Sequence, residues 1–135
     1  MSRSLPFVLL LAAVAGTGCD TEEIMGHGTP VGAQFVVGGA AAAAGITISP
    51  GQTIRIEVEF VDGNGDHLND LEDGHYASLT FSPPSLATVA LVTGEPFAFD
   101  VTAQLTAGSG FVEVGYGHSP AANESEFGPY TVSVQ

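Results

Sequence analysis

From Thr53 to Asp62 the chain reads TIRIEVEFVD, with Ile54, Ile56, Val58 and Phe60 alternating with Thr53, Arg55, Glu57 and Glu59. A period of two belongs to a strand with one buried and one wet face, whereas a helix would scatter those apolar side chains around its circumference. The same alternation places Ala77, Leu79 and Phe81 on one face of a strand over Tyr76–Phe81, stopped by Pro83-Pro84, since proline cannot donate to a ladder. It recurs at Phe97, Phe99, Val101, Ala103 and Leu105, at Val112, Val114 and Tyr116, and at Tyr130, Val132 and Val134. Shorter β-prone runs lie at Gln34–Val37, Ile46–Ile48 and Ala87–Val92.

Turn residues punctuate these runs at Pro50-Gly51, Gly63-Asn64-Gly65, Gly94-Glu95-Pro96 and Ala107–Gly110. The alanine run inside Gly38–Gly45 is too short for a stable helix and is expected as a loop or single turn. Asp66–Gly74 and His118–Gly128 are expected as longer polar loops. Short strands separated by Gly and Pro, with no helical period, predict an all-β antiparallel sandwich.

The first eighteen residues carry a different pattern: Arg3, an apolar run from Leu5 to Ala15, then Gly16, Thr17 and Gly18. That is the layout of a secretory signal. As a helix the apolar run would span roughly 16 Å, about half the hydrocarbon thickness of a bilayer, which disfavours a permanent transmembrane segment. Cys19 follows at once and is the single cysteine in the chain. Gly16-Thr17-Gly18-Cys19 resembles a bacterial lipobox, although that motif usually has an aliphatic residue where Gly16 stands. The resemblance implies that Cys19 is lipidated and becomes the mature N-terminus. The expected organisation is a signal at 1–18, the lipidated cysteine and a flexible tether at 19–32, and one domain at 33–135, held together without disulfides.

Charge narrows the partners. The chain has 15 acidic residues against two Lys or Arg, for a formal net charge of −13, and beyond Cys19 the one cation among these is Arg55. Nucleic acid needs cationic partners along its phosphates, so it is excluded, as is electrostatic docking on anionic lipid. The acidity fits solubility, cation attraction or a salty medium.

The segment Leu79-Thr80-Phe81-Ser82, Ser85-Leu86-Ala87-Thr88-Val89 and Leu105-Thr106-Ala107-Gly108-Ser109-Gly110-Phe111-Val112-Glu113-Val114 resembles bacterial immunoglobulin-like domains of the group 2 type. Those domains carry a serine, aliphatic, Ala-Thr-Val segment and a later Ala-Gly-small turn into a strand, and usually have Trp where Phe81 stands here. The resemblance covers Ile46–Gln135. It implies an immunoglobulin-like sandwich of about seven strands, and an adhesion, spacer or binding role outside the cytoplasm without catalysis, with an extracytoplasmic protein or polysaccharide as partner.

Candidate chemistry is sparse. None of His27, His67, His75 and His118 lies in an HExxH arrangement, and there is no GxSxG elbow, so an enzyme is not expected. Blue copper requires a thiolate that an acylated Cys19 cannot supply. Asp62, Asn64, Asp66, Asp70 and Asp73 are spaced like positions one, three, five, nine and twelve of a calcium loop, but His67 occupies the position that should be glycine. A polar turn rich in Asn, Asp and Gly explains the same residues. A second metal possibility is zinc or copper at His118 with His75 or His27, joined by Glu124 or Glu126, because a sandwich gathers its loops at two ends. No cofactor is expected beyond a possible calcium.

Overall fold

The structure, a computed structural model, describes residues 29–42, 45–68, 74–119 and 121–135. Every regular element among them is a strand: β1 (Gly32–Val37), β2 (Ala40–Ala42), β3 (Ile46–Ile48), β4 (Thr53–Val61), β5 (Tyr76–Ser82), β6 (Ala87–Leu91), β7 (Ala98–Ala103), β8 (Gly108–Gly117) and β9 (Ser125–Val134). They form two sheets, ordered β2-β1-β4-β7-β6 and β3-β9-β8-β5. Removing β2 and β3 leaves β1-β4-β7-β6 opposite β9-β8-β5, the seven-strand order of immunoglobulin-like sandwiches.

The alternation in the sequence builds the core directly. Ile56, Val58 and Phe60 of β4 face inward with Phe35, Phe99 and Val101, and meet Val112, Val114, Val132 and Val134 from the other sheet. Ile56 has no exposed surface, whereas its neighbour Glu57 points to solvent. β4 holds this position because it pairs with β1 on one side and β7 on the other.

Four local expectations are corrected. Ala40–Ala42 is not loop but the return arm of a hairpin on β1, turned by Gly38 and Gly39 at positive φ. Leu105 does not face inward; it lies past the end of β7 and is 85% exposed. The chain bends between Ala103 and Gly108, so Gly108–Gly110 opens β8 rather than forming a turn. β9 starts at Ser125, inside the stretch expected as loop. One pairing is also parallel, between β3 and β9, because the chain crosses from the first sheet to the second before β4 returns.

β9 contains a bulge. Val112 faces Tyr130 and Val114 faces Phe127, so three steps on β9 match two on β8. The extra residue lets Tyr130 and Phe127, at odd spacing, both pack on the core. Gly128 makes this possible at φ +115, where a side chain would be strained and its Cβ would sit 3.1 Å from the Val112 carbonyl oxygen.

Candidate functional site

Of the residues singled out for chemistry, Cys19, His27, Asp70 and Asp73 lie outside the described residues. Asp62, Asn64 and Asp66 are placed, and they form a self-contained turn. Asp62 Oδ1 accepts the backbone N–H of Asn64 at 2.8 Å and of Asp66 at 3.0 Å. The Asp62 N–H donates to the Asp66 carbonyl, and the Gly65 N–H donates to that of Asp62, each at 3.0 Å. These bonds to Asn64 and Asp66 hold the Asp62 carboxyl below its ordinary range, because they favour the charged form. The carboxylate therefore already serves the backbone.

His67, at the would-be glycine position, turns back over the sheet and bridges to Val61. Its Nδ1 lies 3.0 Å from Glu59 Oε2, and Gln34 Nε2 lies 2.9 Å from its Nε2. The same Gln34 nitrogen donates to Glu59 Oε2 at 2.7 Å. With Gln34 donating, a neutral imidazole carries its proton on Nδ1, toward Glu59. This trio was missed in the sequence although Gln34 and Glu59 are direct cross-strand partners; nothing local signals that His67 folds over them. Glu59 and His67 line a cleft of about 320 Å³ with Leu68, Glu95 and Phe97, where β4 runs on past the start of β7.

The histidines at the sandwich end do meet. Tyr76 pairs with Gly117, so the next pair outward in register is His75 and His118. Their ring centroids lie 4.3 Å apart, and His75 also stacks on Tyr116 at 5.2 Å, 7° from parallel. His118 Nδ1 lies 2.5 Å from Glu124 Oε1. His75 is buried, whereas His118 and Glu124 are exposed. Among the described residues, however, no group of three or more His, Cys, Asp or Glu side chains is arranged to hold a metal ion.

The remaining feature lies on the outer face of β3, β9 and β8. The inward turn of Ile46, Ile48, Val112, Val132 and Val134 sends the alternate residues outward. Thr47, Ser133 and Ser109 then form one row across the three strands, with Thr131 and Phe111 in the next. Together they line a groove of about 480 Å³ in which none of the lining residues is charged. Phe111 is 49% exposed there. The signal in the sequence is the outward alternation of Ser109 and Phe111, and of Thr131 and Ser133, with the core-facing valines.

No family model matches this chain, and no curated protein matches it. Among solved structures it is similar to the crystal structure of the S-layer protein SbsC domains 4 and 5, at 20% sequence identity and a TM-score of 0.46, over 78% of this chain and 53% of that one. The chain thus spans about half the length of that structure.

Proposed function

We propose that this chain is an exported, lipid-anchored immunoglobulin-like module of the bacterial group 2 kind, acting as a noncatalytic binder at the cell surface or in the periplasm. The leader, the position of Cys19 and the strand order support the export and module parts of this reading. The observation that carries the binding part is the uncharged groove around Phe111.

On a chain of net charge −13, a groove lined without a charged side chain offers a charged partner no ion pair. Stable protein interfaces bury about 800 Å² per partner around a central cluster of anchors. Here one half-exposed ring stands among hydroxyls. Hydroxyl groups both donate and accept, which suits a ligand made of the same groups, and the Phe111 ring offers an apolar platform beside them. A neutral extracytoplasmic polysaccharide fits this chemistry better than a protein. Affinity electrophoresis in gels cast with neutral glucans tests it: the wild type should be retarded, Phe111→Ala should not, and Glu57→Gln on the opposite sheet should behave as wild type. Mobility that matches a glucan-free gel for each of the three proteins, in every glucan, would refute the reading.

The contact between His75 and His118 favours a second reading, an extracytoplasmic protein binding zinc or copper through imidazole. The pair supplies two ligands, and His118 would have to share its Nδ1 contact with Glu124 or turn its other nitrogen to the ion. Zinc titration by calorimetry decides it: one site lost in His118→Ala supports metal binding, and no heat in the wild type removes it.

A further inference from the structure

β6 is an edge strand without protection. Among the described residues it pairs with β7 on one side alone, and its five residues, Ala87-Thr88-Val89-Ala90-Leu91, include no charge and no proline. Natural edge strands are usually blunted by charges, proline, bulges or cover, because their unpaired backbone groups template another strand.

The direction of those groups follows from the bonds flanking β6. The Gln104 N–H donates to the Leu86 carbonyl, and the Val92 N–H donates to that of Ala98. Even-numbered positions of β6 therefore turn toward β7, and the N–H and C=O of Ala87, Val89 and Leu91 turn away from it. The side chains of Val89 and Leu91 lie on the core face, opposite Val101 and Phe99, yet remain 37% and 41% exposed.

Charge around this edge is partly neutralised. Among the described residues, Asp100 lies opposite Ala90 on β7 and Glu95 lies in the following turn. Arg55, the one Lys or Arg beyond Cys19, lies 3.0 Å from Asp100 and 3.5 Å from Glu95.

We propose that β6 pairs with β6 of a second copy of this chain, antiparallel about a two-fold axis at Val89. In that register Val89 faces Val89, Ala87 faces Leu91 and Thr88 faces Ala90. Every outward backbone group then meets an outward group of the partner, each such pair exchanging two backbone bonds. No like charges oppose each other across the strands, and the uncovered Val89 and Leu91 side chains of both copies come together on the core side. The interface is isologous and closes at a dimer. Five residues per copy is small beside a standard interface, so the dimer exchanges with monomer in a concentration-dependent way.

Sedimentation equilibrium of the full chain tests this with three proteins: wild type, Val89→Lys, and Thr80→Lys on the edge of the other sheet. Wild type and Thr80→Lys should show the same monomer–dimer equilibrium. Val89→Lys, which sets two lysines opposite each other at the two-fold, should weaken it by about tenfold or more. A wild type that stays monomeric overturns the proposal. So does association that survives Val89→Lys, as it would if the apolar leader drove it, or that is lost equally in Thr80→Lys. Amide hydrogen exchange in the wild type gives a second readout that needs no variant: protection at Val89 and Leu91 should rise with protein concentration, and protection that does not change overturns the proposal as well.

Discussion

The phenol of Tyr130 and the backbone of Ala33 exchange two hydrogen bonds between the two sheets. Tyr130 Oη donates to the Ala33 carbonyl at 2.8 Å and accepts the Ala33 N–H at 3.3 Å. The same ring packs edge-on against Phe35 at 5.0 Å. β9 thereby fastens β1, the first strand described, in the stretch of β1 that β2 does not reach. Tyr130→Phe keeps the packing and removes both bonds. At about 0.5–1.5 kcal/mol net for each bond, it should cost about 1–3 kcal/mol in denaturant unfolding. A loss within ±0.5 kcal/mol, the range of ordinary surface changes, would mean that β1 is held by its pairing with β4 alone.

The register of β4 has its own contrast. Ile56→Ala removes a fully buried side chain and should cost about 2–5 kcal/mol. Glu57→Ala, one position away on the solvent face, should stay within about ±0.5 kcal/mol. Equal effects in urea melts would contradict the assignment of faces.

Those faces were legible in the sequence because alternation is a local property, and burial follows from it residue by residue. What was not legible depended on partners far along the chain. Ala40–Ala42 reads as low-complexity loop and becomes a strand because β1 offers it an edge. Tyr130 and Phe127 share a face despite odd spacing because Gly128 permits a bulge. Leu105 continues the apolar alternation of β7, but the ladder ends two residues earlier and leaves it in solvent. The geometry of sandwich ends suggests His118 near His75 or His27, with Glu124 or Glu126, as a metal site; the structure brings His118 to His75 and Glu124. The cause of the His75 contact, the β5–β8 register, became visible once the strands were paired.

The Asp62 turn sets a pH dependence. Its carboxyl is held below the ordinary range by amide hydrogen bonds, so the folded state favours the charged form. The resulting stabilisation is fully present above the unfolded-state value of about 3.9 and is lost as pH falls through the lower folded value. The melting temperatures of wild type and Asp62→Asn should therefore converge on acidification below about pH 4 and differ at pH 7 in favour of the wild type. A difference that does not change with pH would contradict the cause assigned here.

The same turn predicts the response to calcium. Because Asp62 Oδ1 already accepts two backbone N–H groups, calcium and sodium at matched ionic strength should shift the melting temperature alike. The double variant Asp62→Asn with Asp66→Asn should respond in the same way as the wild type. A filled calcium site at 100 times its dissociation constant would instead add about 2.7 kcal/mol, a rise of several degrees specific to calcium.

Anchoring is tested at Cys19. Intact mass of the protein recovered from membranes should show a modified cysteine at the N-terminus with more than one acyl chain, since a single chain binds membranes marginally. Cys19→Ala should abolish processing or release the protein. An unmodified N-terminus downstream of Cys19 would defeat the lipidation proposal.

The central claim, that the uncharged groove on β3, β9 and β8 is the binding surface, is tested most directly by mapping amide chemical shifts during titration with a neutral oligosaccharide. The account predicts saturable shifts concentrated at Thr47, Ser109, Phe111, Thr131 and Ser133, with β4 and β7 unmoved. Shifts centred on the cleft beside Glu59 and His67, or none with any neutral glycan, would contradict it.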